Sequence, residues 1–160
     1  FTIKEGPSAQ LGGGVGYSTR EGQIGFGNIG RTAAAWLGYR TLGRGSNAKS
    51  MGTYVKRNAS EGLGGHASLM QHVLLAGLAS QAQGGAAEKT YWATIERDLL
   101  LAACPDGSLQ PRPWSESIAT GSNSDVSFGE VWTTAAWALV LAADSAIAGS
   151  RGLVGWTGTP

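Results

Sequence analysis

Apolar and polar positions in the middle of this chain recur with the period of an α-helix. Ala33, Trp36 and Leu37 stand at i, i+3 and i+4, and Arg40 follows near the end where a helix dipole favours a cation. Asn28 is a good N-cap for this run and Gly43 suits the left-handed C′ position, so a helix is predicted from about Asn28 to Leu42. A weaker pattern puts Ala48, Met51 and Val55 on one side of a shorter helix, capped by Ser46 and ending near Asn58, with Gly52 as its weak point. From about His66 to Gln81 the residues Leu69, Met70, Val73, Leu74, Leu75, Gly77 and Leu78 leave little polar circumference, which predicts an inner, buried helix. Gly84-Gly85 ends it and starts the return.

The next stretch, about Ala86 to Ala103, is amphipathic. Trp92, Ile95, Leu99 and Leu100 form its stripe, while Glu88, Lys89, Glu96 and Arg97 lie off it, so an outer helix is predicted. Pro105 stops it and Asp106-Gly107 supplies a turn. Residues 108–127 form a polar loop with Pro111 and Pro113, long enough that a function is expected of it. A last helix is predicted from about Gly129 to Ile147, with Trp132, Ala136, Leu139, Val140 and Ala143 making it apolar almost all round. The flanks carry no helical period. The expected organisation is therefore a Gly-rich irregular arm over 1–27, a helical-hairpin domain over 28–148 and a Gly/Thr-rich tail over 149–160. The fold class is all-α.

Composition sharpens this picture in two ways. Charged residues make up 14% of the 160, against roughly 25% in an average domain, and the net charge is only +1. The 12 basic residues are scattered, which argues against a nucleic-acid surface, since that needs a clustered basic stripe. So little charge beside six Trp suggests a chain that depends on surroundings such as neighbouring repeats or identical subunits. The 26 Gly fall mostly between the apolar runs. The Gly-rich arm is no phosphate cradle, because no Gly-Lys-Ser/Thr follows it. The lone Cys104 excludes an intrachain disulfide, and its place before Pro105 suits an inert helix-end residue. No uninterrupted apolar run approaches the ~18 residues of a membrane span. Phe1 is not an initiator residue, so the chain is expected to be processed or part of a longer one.

Thr32-Ala-Ala-Ala-Trp36 and Thr133-Thr-Ala-Ala-Trp137 differ at one position, and the run beginning at His66 lies between them as a third inner-type helix. Inner helix, outer helix, Pro105-Asp-Gly-Ser-Leu109, a variable loop and Gly129-Glu-Val-Trp-Thr-Thr-Ala-Ala136 resemble the α/α-toroid repeat of squalene–hopene cyclases, prenyltransferase β-subunits and complement thioester domains. Gly65-His66-Ala67-Ser68 with Asp106-Gly107-Ser108 and Trp132-Thr133-Thr134 is similar to a bacterial family of PDZ-linked α/α-toroid proteins. The likeness covers about residues 28–145. It implies a partial array of hairpins, with an extracellular or cell-surface location favoured. The chemistry of the well-studied members does not carry over. The Asp-rich acid motif, the Asp/Cys/His zinc set and the thioester Cys-Gly-Glu-Gln are all absent.

In a toroid the inner helices run parallel and their N-termini gather at one mouth, which would place Arg31, His66, Glu130 and Trp132 on one rim. Helix N-termini there favour a small anionic ligand. Asp125, Trp114 and Glu116 come from the loop expected to cover the same mouth. Glu130 or Asp125 with Glu116 would form a carboxylate pair for acid–base work on a glycan, with Trp114 and Trp132 stacking sugar rings. The plainer readings make Trp132 and Trp36 core residues, Glu130 a dipole partner and His66 a cap. His66 and His72 lie roughly 240° apart around a helix, so no metal site is expected from them, and no cofactor is expected either. Asn58-Ala59-Ser60 matches the glycosylation acceptor pattern. Two functions follow: a non-catalytic binding or assembly module that pairs with identical copies or the remainder of a parent chain, or a polysaccharide-acting or glycan-binding domain using the rim residues. An enzyme would show perturbed carboxylates at a cavity mouth, and a module would show them capped beside uncovered apolar flanks, expected on the Ser46–Asn58 side and on the last helix at Val140 and Ile147.

Overall fold

The computed structural model describes residues 13–16, 28–63, 68–111 and 125–149, and within them the chain is all-helical. In order come α1 (Ile29–Thr41), α2 (Gly45–Arg57), a 3-10 turn (Ala59–Glu61), α3 (Leu69–Gln83), α4 (Gly85–Ala102) and α5 (Asp125–Gly149). Five helices were expected, and five are found among the described residues. The N-terminal arm beyond 13–16 and the tail from 150 onward lie outside them.

Local chemistry sets the boundaries. The Asn28 side chain accepts from the Arg31 N–H and caps α1 as expected. At its other end Gly43 has φ 68°, its N–H donates to the Arg40 carbonyl, and the Arg44 N–H reaches back to Tyr39 at 2.8 Å. This pair of bonds satisfies the last carbonyls of α1 and turns the chain at once into α2. The expected Ser46 cap is therefore displaced. α2 begins at Gly45, and its N-cap position, Arg44, makes no side-chain capping bond. α3 begins three residues later than expected, at Leu69, because Ser68 is the cap that its Oγ makes with the Gln71 N–H. Gly84 closes α3 at φ 64° and ψ −170°, a conformation open to little but glycine.

α3 is the central helix, packed against α1, α2, α4 and α5. Its Met70, Val73, Ala76 and Ala79 are buried. The Cα of His72, near its start, lies against Gly30 near the start of α1. Met70 meets Asp125 at the start of α5, and Gln81 donates to the Val140 carbonyl further along it. α3 and α5 thus run in the same direction, and the starts of α1 and α3 lie together. α3 is also more fully buried than α4, in the order expected.

The expected α4 stripe faces inward at Ile95, with Trp92 and Leu99 packed against the core, but it is centred on Tyr91 and leaves Leu100 out. Ala87, Tyr91, Ile95, Asp98 and Ala102 are buried, Trp92 and Leu99 are half-buried, and Leu100 points outward. The reason lies in Tyr91. Its phenol donates to the Val73 carbonyl at 2.8 Å and sits over Gly77, where a Cβ would lie 2.7 Å from the hydroxyl. The same device joins α2 to α1, with Gly52 beneath the indole nitrogen of Trp36. What weakened α2 as a sequence, a glycine inside a helix, is what lets it approach its neighbour.

Two features were not anticipated. Residues 102–110 form a small hairpin rather than the start of a loop, with an antiparallel bridge between Ala103 and Leu109. Gly107 (φ 86°) makes the turn, Asp106 accepts from the Ser108 N–H and hydroxyl, and the Leu109 N–H donates to Thr134 on α5 at 2.8 Å. Secondly, α5 starts at Asp125 and bends at Gly129 (φ 74°, ψ −168°). Only one side of α5 is buried. Thr133, Ala136, Trp137 and Val140 face α3, while Val126, Phe128, Val131 and Leu139 are exposed. An open apolar flank was expected on this helix at Val140 and Ile147, but Val140 is buried against α3, the outward residues are Val131 and Leu139, and the Ile147 side chain lies outside the described residues. By length and composition the segment Asp125–Ala143, with mean hydropathy 1.3, would also suffice to cross a membrane, which the sequence reading had not allowed.

Candidate functional site

The strongest concentration of polar contacts involving the expected site residues is at the start of α3. The first N–H groups of a helix lack intrahelical partners and carry partial positive charge. Here Ser68 Oγ accepts from the Gln71 N–H at 3.0 Å, and Asp125 Oδ2 accepts from the Met70 N–H at 2.9 Å. Asp125 Oδ1 accepts from the Ser68 hydroxyl and from the Trp132 indole N–H at 2.9 Å. Asp125 is 1% exposed. A carboxylate from the first turn of one helix thus caps the N-terminus of another, 55 residues earlier in the chain.

The bend at Gly129 belongs to this arrangement. It separates the first turn of α5, which carries Asp125, from the remainder, which carries Trp132. The Trp132 ring packs against the core and meets Phe128 edge-on at 6.3 Å and 77°. Phe128 itself is 59% exposed.

The structure brings Asp125 and Trp132 together, and it adds Ser68, which the sequence reading had not singled out for this site. Glu130 lies exposed on α5. Arg31 is half-buried in the first turn of α1, where its charge acts on the Tyr54 phenol. Burial nevertheless pushes that phenol up overall, with Glu61 adding to the rise and Arg57 and Arg31 opposing it. His66, Trp114 and Glu116 lie outside the described residues. His72 is buried against α1, as expected of a histidine inside an apolar run. Among the described residues no group of three or more His, Cys, Asp or Glu side chains comes together to hold a metal.

Chemically, Asp125 is poorly placed for acid–base work. Each oxygen is engaged by donors from the fold, and no face of the carboxylate meets solvent. Trp132 spends its one donor on Asp125. A signal for the cap was present in the sequence: Ser68-Leu-Met-Gln71 is the Ser-x-x-Gln pattern of a capping box ahead of an apolar run. The contribution of Asp125 had no local signal, since it arrives from a distant segment.

A different surface stands out by exposure. Val126 (51%), Phe128 (59%), Val131 (84%), Leu139 (55%) and Leu141 all belong to α5, and a smaller exposed pair, Leu100 and Leu101, lies on α4, with Leu42 at the end of α1. The α2 flank, expected to be open, is covered. Residues 13–16 lie along it, with Gly13 against the Ser50 carbonyl and Gly14 against the Tyr54 ring. The Val15 N–H donates to Thr32 at 2.9 Å. Comparison of the chain with protein-family models, with curated proteins and with solved structures finds no match.

Proposed function

We propose that this chain is a non-catalytic binding or assembly module, a set of helical hairpins of α/α-toroid or solenoid type that completes its packing against other protein. One observation carries the reading: among the described residues five of the eight exposed large apolar side chains lie on α5, with Val131 at 84% exposure, while Thr133, Ala136, Trp137 and Val140 of the same helix are buried. Contiguous apolar patches beyond a few hundred Å² usually mark an interaction surface. In hairpin arrays each unit buries its face on the next, so a last inner helix without an outer neighbour leaves such a face. The scarcity of charge in the chain fits the same reading. The glycan-acting alternative loses the support it drew from Asp125, whose oxygens are engaged by the fold.

Size-exclusion chromatography with light scattering, together with binding of an apolar dye, tests this. An association module gives a mass that rises above 16.4 kDa with concentration, or a monomer that binds the dye at α5. A 16.4 kDa species that neither self-associates nor binds the dye would contradict it.

A further inference from the structure

We infer that the start of α1 and the middle of α2 form a docking site for an extended Gly-Gly-apolar segment of polypeptide, filled in this chain by its own residues 13–16 as a removable strap. The site grips one residue by its main chain. The Val15 N–H donates to Thr32 Oγ1 at 2.9 Å, and the Val15 carbonyl accepts from the Asn28 N–H at 3.4 Å. Thr32 is fully buried, and its own hydroxyl proton goes to the Asn28 carbonyl at 2.7 Å, which leaves its oxygen lone pairs for the strap. The Val15 side chain packs on the cluster that holds Ala33, Trp36, Met51 and Val55.

Selectivity comes from the two residues before Val15. Gly13 has φ 95°, and a Cβ there would lie 2.6 Å from the Ser50 carbonyl oxygen. At Gly14 a Cβ would lie 2.6 Å from the ring of Tyr54, which is 6% exposed and so has little room to move. The site therefore reads glycine, glycine and an apolar residue. A related grip occurs on α5. Leu109 stands two residues after Gly107 (φ 86°), and its N–H donates to the Thr134 hydroxyl at 2.8 Å. There the middle residue is Ser108, so the demand for a second glycine belongs to the Tyr54 ring. The strap is removable because little holds it: three of its four residues have no side chain to bury, and Val15 is only half-buried. Segments with so few buried apolar contacts open locally, without global unfolding. Tethered to its own chain, the segment refills the site at high effective concentration. The site lies on α1 and α2 and stands whether or not α5 has a partner.

The test titrates a peptide of residues 11–17, blocked at both ends, into the whole chain carrying Gly14→Val, with backbone amide shifts as the readout and circular dichroism to verify the helices. The peptide moves the amides of Asn28, Thr32 and Tyr54 in this variant, and binds the wild type at least ~10-fold more weakly, because the wild-type strap competes. The same peptide carrying Gly14→Val gives no response. Gly13→Ala, a second way to unseat the strap, makes the chain respond as Gly14→Val does. In the wild type the Val15 amide exchanges with solvent at least ~10-fold faster than the Val73 amide of α3. A variant chain that ignores the wild-type peptide, or binds both peptides alike, overturns the docking site. Equal binding to variant and wild type overturns the strap as its occupant. Loss of the helical signal in both variants, or exchange at Val15 as slow as at Val73, makes the segment a fixed part of the core and overturns its removal.

Discussion

Replacing Asp125 distinguishes a structural carboxylate from a working one. In Asp125→Asn the side chain keeps one acceptor oxygen and gains an amide. With the oxygen in the Oδ1 position, Ser68 and Trp132 keep their partner, but the amide faces the Met70 N–H, donor against donor. With the amide flipped, Met70 keeps its bond and the Trp132 N–H loses its own. At least one buried donor is left unsatisfied either way, at a cost of about 1–3 kcal/mol. Loss of the negative charge at the start of α3 adds a further ~0.3–1 kcal/mol. The expected destabilisation is about 1.3–4 kcal/mol, or roughly 3–16 °C in midpoint for a chain of this length. Asp125→Ala removes all three acceptor contacts and leaves more than one buried neutral donor without a partner, at about 1–3 kcal/mol each, so it should cost more than Asp125→Asn. Urea unfolding followed by circular dichroism measures both. In a cycle with Trp132→Phe, the coupling between the two sites should reach about 0.5–3 kcal/mol. Stability of Asp125→Asn within ~0.5 kcal/mol of wild type would refute the capping role and reopen the acid–base reading.

Other expectations follow from the packing and titration of particular residues. Gly77→Ala gains about 1 kcal/mol of helix propensity but puts a Cβ 2.7 Å from the Tyr91 hydroxyl and 3.0 Å from Val140, so net destabilisation of about 1–3 kcal/mol is expected by urea unfolding, reduced in a Tyr91→Phe background. Burial raises the Tyr91 phenol far above its ordinary value of 10.0. The stability it confers is whole below that pH and declines as the pH rises above it, so absorbance titration should show this phenol ionising only as the protein unfolds. The two hydrogen bonds from Ser108 lower Asp106 below its ordinary 3.8, so the 102–110 hairpin should stay intact above that value and loosen only as the pH falls below it, read from the Ser108 amide resonance. Glu130→Gln, at an exposed position, should leave stability within ~0.5 kcal/mol of wild type in the same urea assay.

Helices proved legible wherever their stop and start signals were local. Asn28, Gly43, Gly84 and Pro105 fall at or beside element ends, because capping and backbone freedom are properties of a few adjacent residues. Phase was harder to read. In α4 Ile95 is buried and Trp92 and Leu99 pack on the core as the stripe suggested, but the hydrogen bond from Tyr91 to Val73 and the gap at Gly77 centre the helix on Tyr91 and leave Leu100 outward. The open flank of α5 was read at the wrong residues: Val140, expected outward, is buried, and Val131 and Leu139 face outward instead, because an apolar sequence does not say which side a neighbouring helix will cover. Of the site, Asp125 and Trp132 were named from sequence as possible acid and sugar platform. Their actual association with Ser68 and the Met70 N–H depends on a contact across 55 residues, which no periodicity encodes.

The most direct test of an association role for α5 is a map of backbone amide chemical shifts recorded from dilute to concentrated protein. The account predicts shifts that grow with concentration and cluster on residues 126–142, with the buried positions of α1 and α4, such as Ala33 and Ile95, holding still. Spectra that are invariant with concentration in a protein that also fails to bind the apolar dye, or shifts that gather on α1 or α4 while Val131 and Ala138 stay fixed, would contradict it.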